Sequence, residues 1–293
     1  MTATAAPSPH AGRLLIAAAA CLWSLNGLFM KLLTQPNAWG LGEPPVGTFT
    51  IAFARVFFAG LVMAPLIPWK SIRWRPAMGV MVVCFATLNT LFVWAMGRGT
   101  AANALILQYT APIWIMIIGV IGFREKPGRL DLITLVIAML GLTVIVGAAL
   151  VSPTWEEIFT VLIGIGSGVA YGAVVICLRF LRAEPGAWLT IQNFVIGALV
   201  ALPLALHDHW PRWGQALTLM LFGAVQLGFP YLLMTKGLQS VGSQEAAMIC
   251  LLEPLLSPFW AYLVSGEVPA NATLVGGAMI LGALLFRYWP RRS

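Results

Sequence analysis

Pro112–Glu125 reads PIWIMIIGVIGFRE, and Pro254–Glu267 reads PLLSPFWAYLVSGE. In both stretches thirteen positions separate the proline from the glutamate, and the residues between are almost wholly apolar. A Gly-bearing apolar run follows each: Gly141 lies sixteen positions after its glutamate, and Gly282 fifteen after its own. The chain is one unit written twice. A duplicated unit built from membrane-length apolar runs points to a transporter.

Composition agrees with that reading. Charged residues make up 9% of the 293, hydrophobic ones 60%, and the mean hydropathy is +0.89. Soluble domains carry roughly 25% charged residues, so lipid must solvate much of this surface. The net charge of +7 does not imply nucleic acid, because the basic residues sit singly or in small groups between apolar runs. Cys21, Cys84, Cys177 and Cys250 all fall inside apolar runs without ligand spacing, so no disulfide, metal site or cofactor is expected. His207 and His209 flank Asp208 in a loop and read as solvated residues.

Runs of about 20 apolar residues define ten expected spans, near 13–33, 48–68, 77–97, 100–123, 130–150, 158–181, 186–206, 214–236, 244–265 and 270–289. The expected organisation is a tail (1–12), a first five-helix repeat (13–150) and a second (158–289). The longest connector is Thr34–Gly47. Thirteen Lys and Arg fall on the side of the tails and the loops after spans 2, 4, 6 and 8, against three on the other side. That bias places both termini in the cytoplasm. Five spans per unit is an odd number, so the second copy crosses in the opposite sense, and inverted repeats hold their substrate near the midplane between copies. The fold class expected is therefore an all-α polytopic membrane protein with two inverted five-helix repeats around a central cavity. Aligning Gly60 with Gly197 sets Arg55 opposite Gln192.

Polar side chains inside spans should face the bundle interior, since lipid penalises them. Trp23, Asn26 and Met30 share one face of span 1; Cys250, Glu253, Ser257 and Trp260 form a similar stripe on span 9. Span 3 offers Asn89, Phe92 and Met96, span 4 Gln108 and Tyr109, span 6 Tyr171, and span 8 Gln226. The substrate-binding candidates are Trp23, Asn26, Asn89, Gln108, Tyr109, Tyr171, Gln226, Glu253 and Trp260. Converging, they form an aromatic and thioether-lined cavity with a few amides, suited to an apolar body with a polar head. Packing between helices is the alternative use of each. Pro112, Pro230 and Pro254 each remove a helical hydrogen bond and free a carbonyl about one turn earlier, which offers hinge points and polar contacts. Glu253 is the sharpest candidate, for a substrate amino group or a proton. Arg55 is the one basic residue well inside a span, available to a carboxylate or tied to backbone. Glu125 and Glu267, where spans meet loops, are expected to join helix ends.

These residues resemble the drug/metabolite transporter superfamily in its ten-span EamA branch. The resemblance rests on the early aromatics Trp23 and Tyr171, on Arg55, and on the Pro…Glu pattern with its Gly-bearing fifth span; Leu252-Glu253-Pro254-Leu255 through Gly266-Glu267 is the closest local match. It covers roughly 13–289, and Gln192 in place of a second arginine departs from a symmetric pattern. The resemblance implies that spans 1, 3, 4, 6, 8 and 9 surround a cavity with spans 5 and 10 peripheral. It also implies export across the bacterial inner membrane, and the chain looks most like the aromatic amino acid exporters. The expected cargo is amino acids, with aromatic and other bulky apolar ones preferred; cationic drugs or other small metabolites are the alternative, because aromatic walls and one acid also suit an organic cation. A membrane-embedded enzyme is the remote alternative, since the spans hold no histidine and no Asp pair. Monomer and homodimer are both compatible with the sequence.

Overall fold

The computed structural model describes residues 7–66, 73–124, 128–151, 154–181, 183–241, 246, 249–266 and 268–288. Every regular element among them is helical. In the first copy α1 (Pro9–Ser24) and α2 (Asn26–Thr34) occupy span 1, α3 (Thr48–Met63) span 2, and α4 (Pro76–Arg98) span 3. Span 4 holds α5 (Ala101–Gln108) and α6 (Ala111–Phe123), and span 5 holds α7 (Arg129–Val151). In the second copy α8 (Trp155–Phe180) is span 6 and α9 (Gly186–Ala205) span 7. Span 8 is α10 (Trp213–Leu221), a π-helical segment (Phe222–Gly228) and α11 (Phe229–Gly237); span 9 holds α12 (Leu252–Ser265) and span 10 α13 (Asn271–Tyr288).

Among the described residues seven of these stretches are both long and apolar enough to cross a bilayer, while α7 and α13 carry shorter apolar stretches, Leu132–Ala148 and Asn271–Arg287. α12 is 14 residues long, and residues 242–245 and 247–248, at the expected start of span 9, lie outside the described residues. So do Glu125 and Glu267, and Lys70, Lys126, Arg182, Arg291 and Arg292 of the charge count. The surface is the reverse of a soluble protein's. Ile121, Leu162, Leu199 and Leu263 are exposed on their helices, whereas Asn26, Asn89, Gln192 and Gln226 are buried. Lipid-facing leucines and inward amides are what a hydrocarbon solvent selects.

Contacts between the copies come in mated sets. α4 packs on α8 as α11 packs on α1; α4 meets α9 as the π segment meets α3; and α5 and α6 meet α8 as α12 meets α1 and α2. The pairs α3 with α9 and α7 with α13 are their own mates. Exchanging the copies therefore reproduces the packing, and the chain has a two-repeat fold.

The α7–α13 contact depends on glycine. A Cβ on Gly141 would lie 2.6 Å from the Gly276 carbonyl, and a Cβ on Gly276 would collide with the Gly141 carbonyl and lie 2.6 Å from Ile145. Small residues let membrane helices approach closely, where packing rather than hydrophobicity holds them together. Gly282, which the sequence sets opposite Gly141, has nothing within 4 Å of its would-be Cβ. The equivalence by spacing is thus not an equivalence in contact, because the two helices meet about a turn and a half earlier along α13.

Contacts at both ends of α9 hold it to the first repeat. Asp208, just beyond α9, accepts from the Thr50 backbone N–H (2.9 Å) and hydroxyl (3.0 Å), capping α3, whose own N-cap Gly47 has no side chain to do so. At the start of α9, Arg75, the N-cap of α4, pairs with Glu184 (2.6 Å), and the Trp188 indole donates to the Arg73 carbonyl (3.3 Å). The long connector between α2 and α3 is held by Gln215, whose amide donates to the Leu41 and Pro44 carbonyls.

Candidate functional site

Four of the spans that meet between the copies are irregular where they meet. α1 stops at Ser24, whose hydroxyl turns back to the Cys21 carbonyl (2.6 Å), and α2 restarts at Asn26. α5 ends at Gln108 and α6 begins at Ala111: Pro112 has no N–H to give the Gln108 carbonyl, and Thr110 bonds back to Leu107 through both N–H and hydroxyl. α12 starts from Leu251 just before Pro254, which leaves the Cys250 carbonyl without its helical donor. The Tyr109 hydroxyl lies 3.3 Å from that carbonyl and donates to Glu253 Oε2 at 3.0 Å. Ahead of Pro230 the chain widens into the π segment, a bulge form common at functional sites.

Between these breaks lies a cavity of about 410 Å³. Eight of the nine candidates line it: Trp23, Asn26, Asn89, Gln108, Tyr109, Tyr171, Gln226 and Glu253. Trp260 does not. Its indole donates to the Ser24 hydroxyl (2.9 Å) and its ring packs on Phe259, so it braces the α1–α2 break from behind. Of the prolines Pro112 lines the cavity, while Pro230 and Pro254 are buried behind it. The thioether wall is Met234 rather than Met30 and Met96, which are fully buried elsewhere.

Arg55 is the main addition to the candidate set. It is 7% exposed and faces the cavity; its guanidinium carbon lies 5.4 Å from the Phe92 ring centre and 5.9 Å from that of Phe222. Among the described residues its one hydrogen bond is a long one, from Nη1 to Asn26 Oδ1 (3.5 Å), and Nε has no partner. Asn89 and Gln226 spend their amide N–H groups on the Ala52 and Trp23 carbonyls, each at 3.0 Å, leaving Asn89 Oδ1 and Gln226 Oε1 buried and unpartnered. Tyr231, edge-on to Trp23 with ring centres 5.4 Å apart, completes an aromatic wall. Tyr231 lies five residues beyond Gln226, across the junction of the π segment with α11, so a spacing of three or four residues misses it.

A second recess of about 810 Å³ lies toward the other helix ends, with Lys31, Arg98, Glu156 and Glu157 in its lining. Along α2, α4 and α5 the buried Met30, Met96 and Leu105 come between the two. The central cavity reaches the opposite way, to Leu238 and Ala246. Within the described residues no group of three His, Cys, Asp or Glu is placed to hold a metal.

An aromatic cavity carrying a few polar and charged groups at the seam of two mated helix sets, inside a lipid-facing shell, is the arrangement of a carrier. The sequence pattern of the EamA-like transporter family matches residues 10–147 and again 158–289. This chain belongs to that family. An uncharacterized transporter of Archaeoglobus fulgidus is 28% identical over 82% of this chain and 87% of its own length. An S-adenosylmethionine uptake transporter of Rickettsia bellii is 22% identical over 91% and 94%. A solved crystal structure superposes with a TM-score of 0.65 at 16% identity, covering 96% of this chain and 98% of the other, and so shares the fold. This EamA-like chain is a multi-span membrane transporter of small metabolites.

Proposed function

We propose that this transporter carries amino acids, aromatic and other bulky apolar ones preferred, out of the cell across the bacterial inner membrane. In this reading the chain crosses ten times with both termini in the cytoplasm, and the repeats at 13–150 and 158–289 run in opposite senses and rock about the cavity. The observation that carries it is the lining: aromatic rings, amides and, among the described residues, one base and one acid around about 410 Å³, a size and polarity suited to a small ligand with an apolar body and a charged head. Two recesses reaching opposite ways, with a packed layer between them, support alternating access. The central cavity reaches toward Leu238 and Ala246, close in sequence to Lys236 of the cation-rich side, which in this reading corresponds to an inward-facing state.

The test is uptake of radiolabelled phenylalanine, tryptophan and a quaternary ammonium compound into proteoliposomes, with and without an imposed pH gradient. Saturable amino acid uptake with little cation uptake is the expected result. Cation uptake alone would replace the reading with its rival, an organic-cation carrier in which Glu253 partners the cation. The S-adenosylmethionine uptake relatives give the rival a specific form, since that compound is an amino acid bearing a sulfonium. It belongs in the same assay, run in both directions of gradient.

A further inference from the structure

We propose that the cavity takes its cargo by both ends of a zwitterionic α-amino acid head, the carboxylate on Arg55 of the first repeat and the ammonium on Glu253 of the second. The assignment rests on the amino acid reading above and adds which residue meets which charge.

Arg55 is a buried cation whose planar fork is almost unspent: one bond at 3.5 Å, an unpartnered Nε, and two phenyl rings in place of water. A guanidinium in that state is matched by a carboxylate, which takes two parallel N–H donors at once. Glu253 is equally under-used, for its one hydrogen bond among the described residues is the 3.0 Å contact from Tyr109. An ammonium has three donors and no acceptor. Asn89 and Gln226 belong to the same lining, and their buried carbonyl oxygens have no partner because their N–H groups are committed to backbone.

Arg55 and Glu253 line the same cavity yet form no ion pair with each other, so both remain available. A buried charge left without a partner is costly. A zwitterion supplies one opposite charge to each, whereas an amine leaves Arg55 unmatched and a carboxylate leaves Glu253 unmatched. The head is also oriented. The position mated to Arg55 is Gln192, and the one mated to Glu253 through the Pro112–Pro254 alignment is Ala111, neither of which bears a charge. The copies are thus interchangeable in packing and not in charge, and only one placement of the head satisfies both ends.

The experiment is competition against radiolabelled phenylalanine in proteoliposomes of the full chain, using phenylalanine, phenethylamine (no carboxylate) and 3-phenylpropionate (no ammonium). Each truncated ligand should compete at least about tenfold more weakly than phenylalanine, the factor set by one charge-assisted hydrogen bond. Arg55→Gln should abolish the preference over phenethylamine alone, and Glu253→Gln the preference over 3-phenylpropionate alone. The ligand series on the unaltered protein needs no variant to fold. If phenethylamine or 3-phenylpropionate competes as well as phenylalanine, or if either variant shifts both preferences alike, the assignment is overturned while amino acid transport stands. Absence of phenylalanine transport would overturn both.

Discussion

The two repeats share their packing and differ in their chemistry. Every major helix contact between them has a mate under exchange, yet Arg55 faces Gln192 and Glu253 faces Ala111 across that symmetry. The irregularities differ as well. The first repeat breaks span 1 at Leu25 where α8 runs unbroken, and the second widens span 8 into a π segment where α4 is a continuous helix. Helix packing depends on apolar surface and on small residues at close approaches, which many sequences supply. Binding depends on single side chains, so one substitution on each side is enough to make the seam polar in one direction.

Perturbing the symmetric part should have the largest effect. Gly276→Leu drives a side chain into the Gly141 carbonyl and Ile145 and is expected to cost about 3 kcal/mol, seen as a lowered unfolding temperature in detergent. Gly282→Leu, in open space, should leave that temperature unchanged. Equal losses at both positions would mean that α7 and α13 meet differently.

Next come the asymmetric residues. Glu253→Gln should reduce phenylalanine transport about tenfold with insertion intact, from losing one charge-assisted contact; normal export would remove the role assigned to this acid. Tyr109→Phe deletes the hydroxyl that bonds Glu253 and approaches the Cys250 carbonyl. It should weaken substrate affinity by about 1 kcal/mol, roughly fivefold, read as a raised half-saturation concentration. Asp208→Ala removes the cross-repeat cap of α3 and should cost about 1 kcal/mol of stability, with the competition pattern unchanged.

The smallest effect sharpens the comparison most. Gln192 is buried with both amide atoms unpartnered, so Gln192→Leu should be neutral or stabilising by up to about 1 kcal/mol. The mated change Arg55→Leu should abolish selectivity for the carboxylate. If Gln192→Leu instead stops transport, Gln192 serves the cycle and the charge asymmetry is not the whole distinction between the repeats.

Much of this was legible in the chain. The Pro-to-Glu intervals disclosed the duplication, composition disclosed lipid, and helical spacing gathered Trp23 with Asn26 and Gln226 with its proline. All of these are local signals. Trp260 shows their limit, since it shares a helix stripe with Glu253 but is turned to Ser24 by a hydrogen bond between helices from different repeats. Tyr231 shows another, because three-and-four spacing from Gln226 presumes one unbroken α-helix and a π segment ends between the two residues.

The sequence alone determined the class of the molecule: apolar runs of membrane length must form helices, because backbone groups in lipid can be satisfied in no other local way, and the repeat required two like halves. Tertiary structure alone decided which polar residues share the cavity. Arg55 and Glu253 lie far apart in the chain, one in each repeat, and they line one cavity because mated helices bring them there, a relation no local periodicity records.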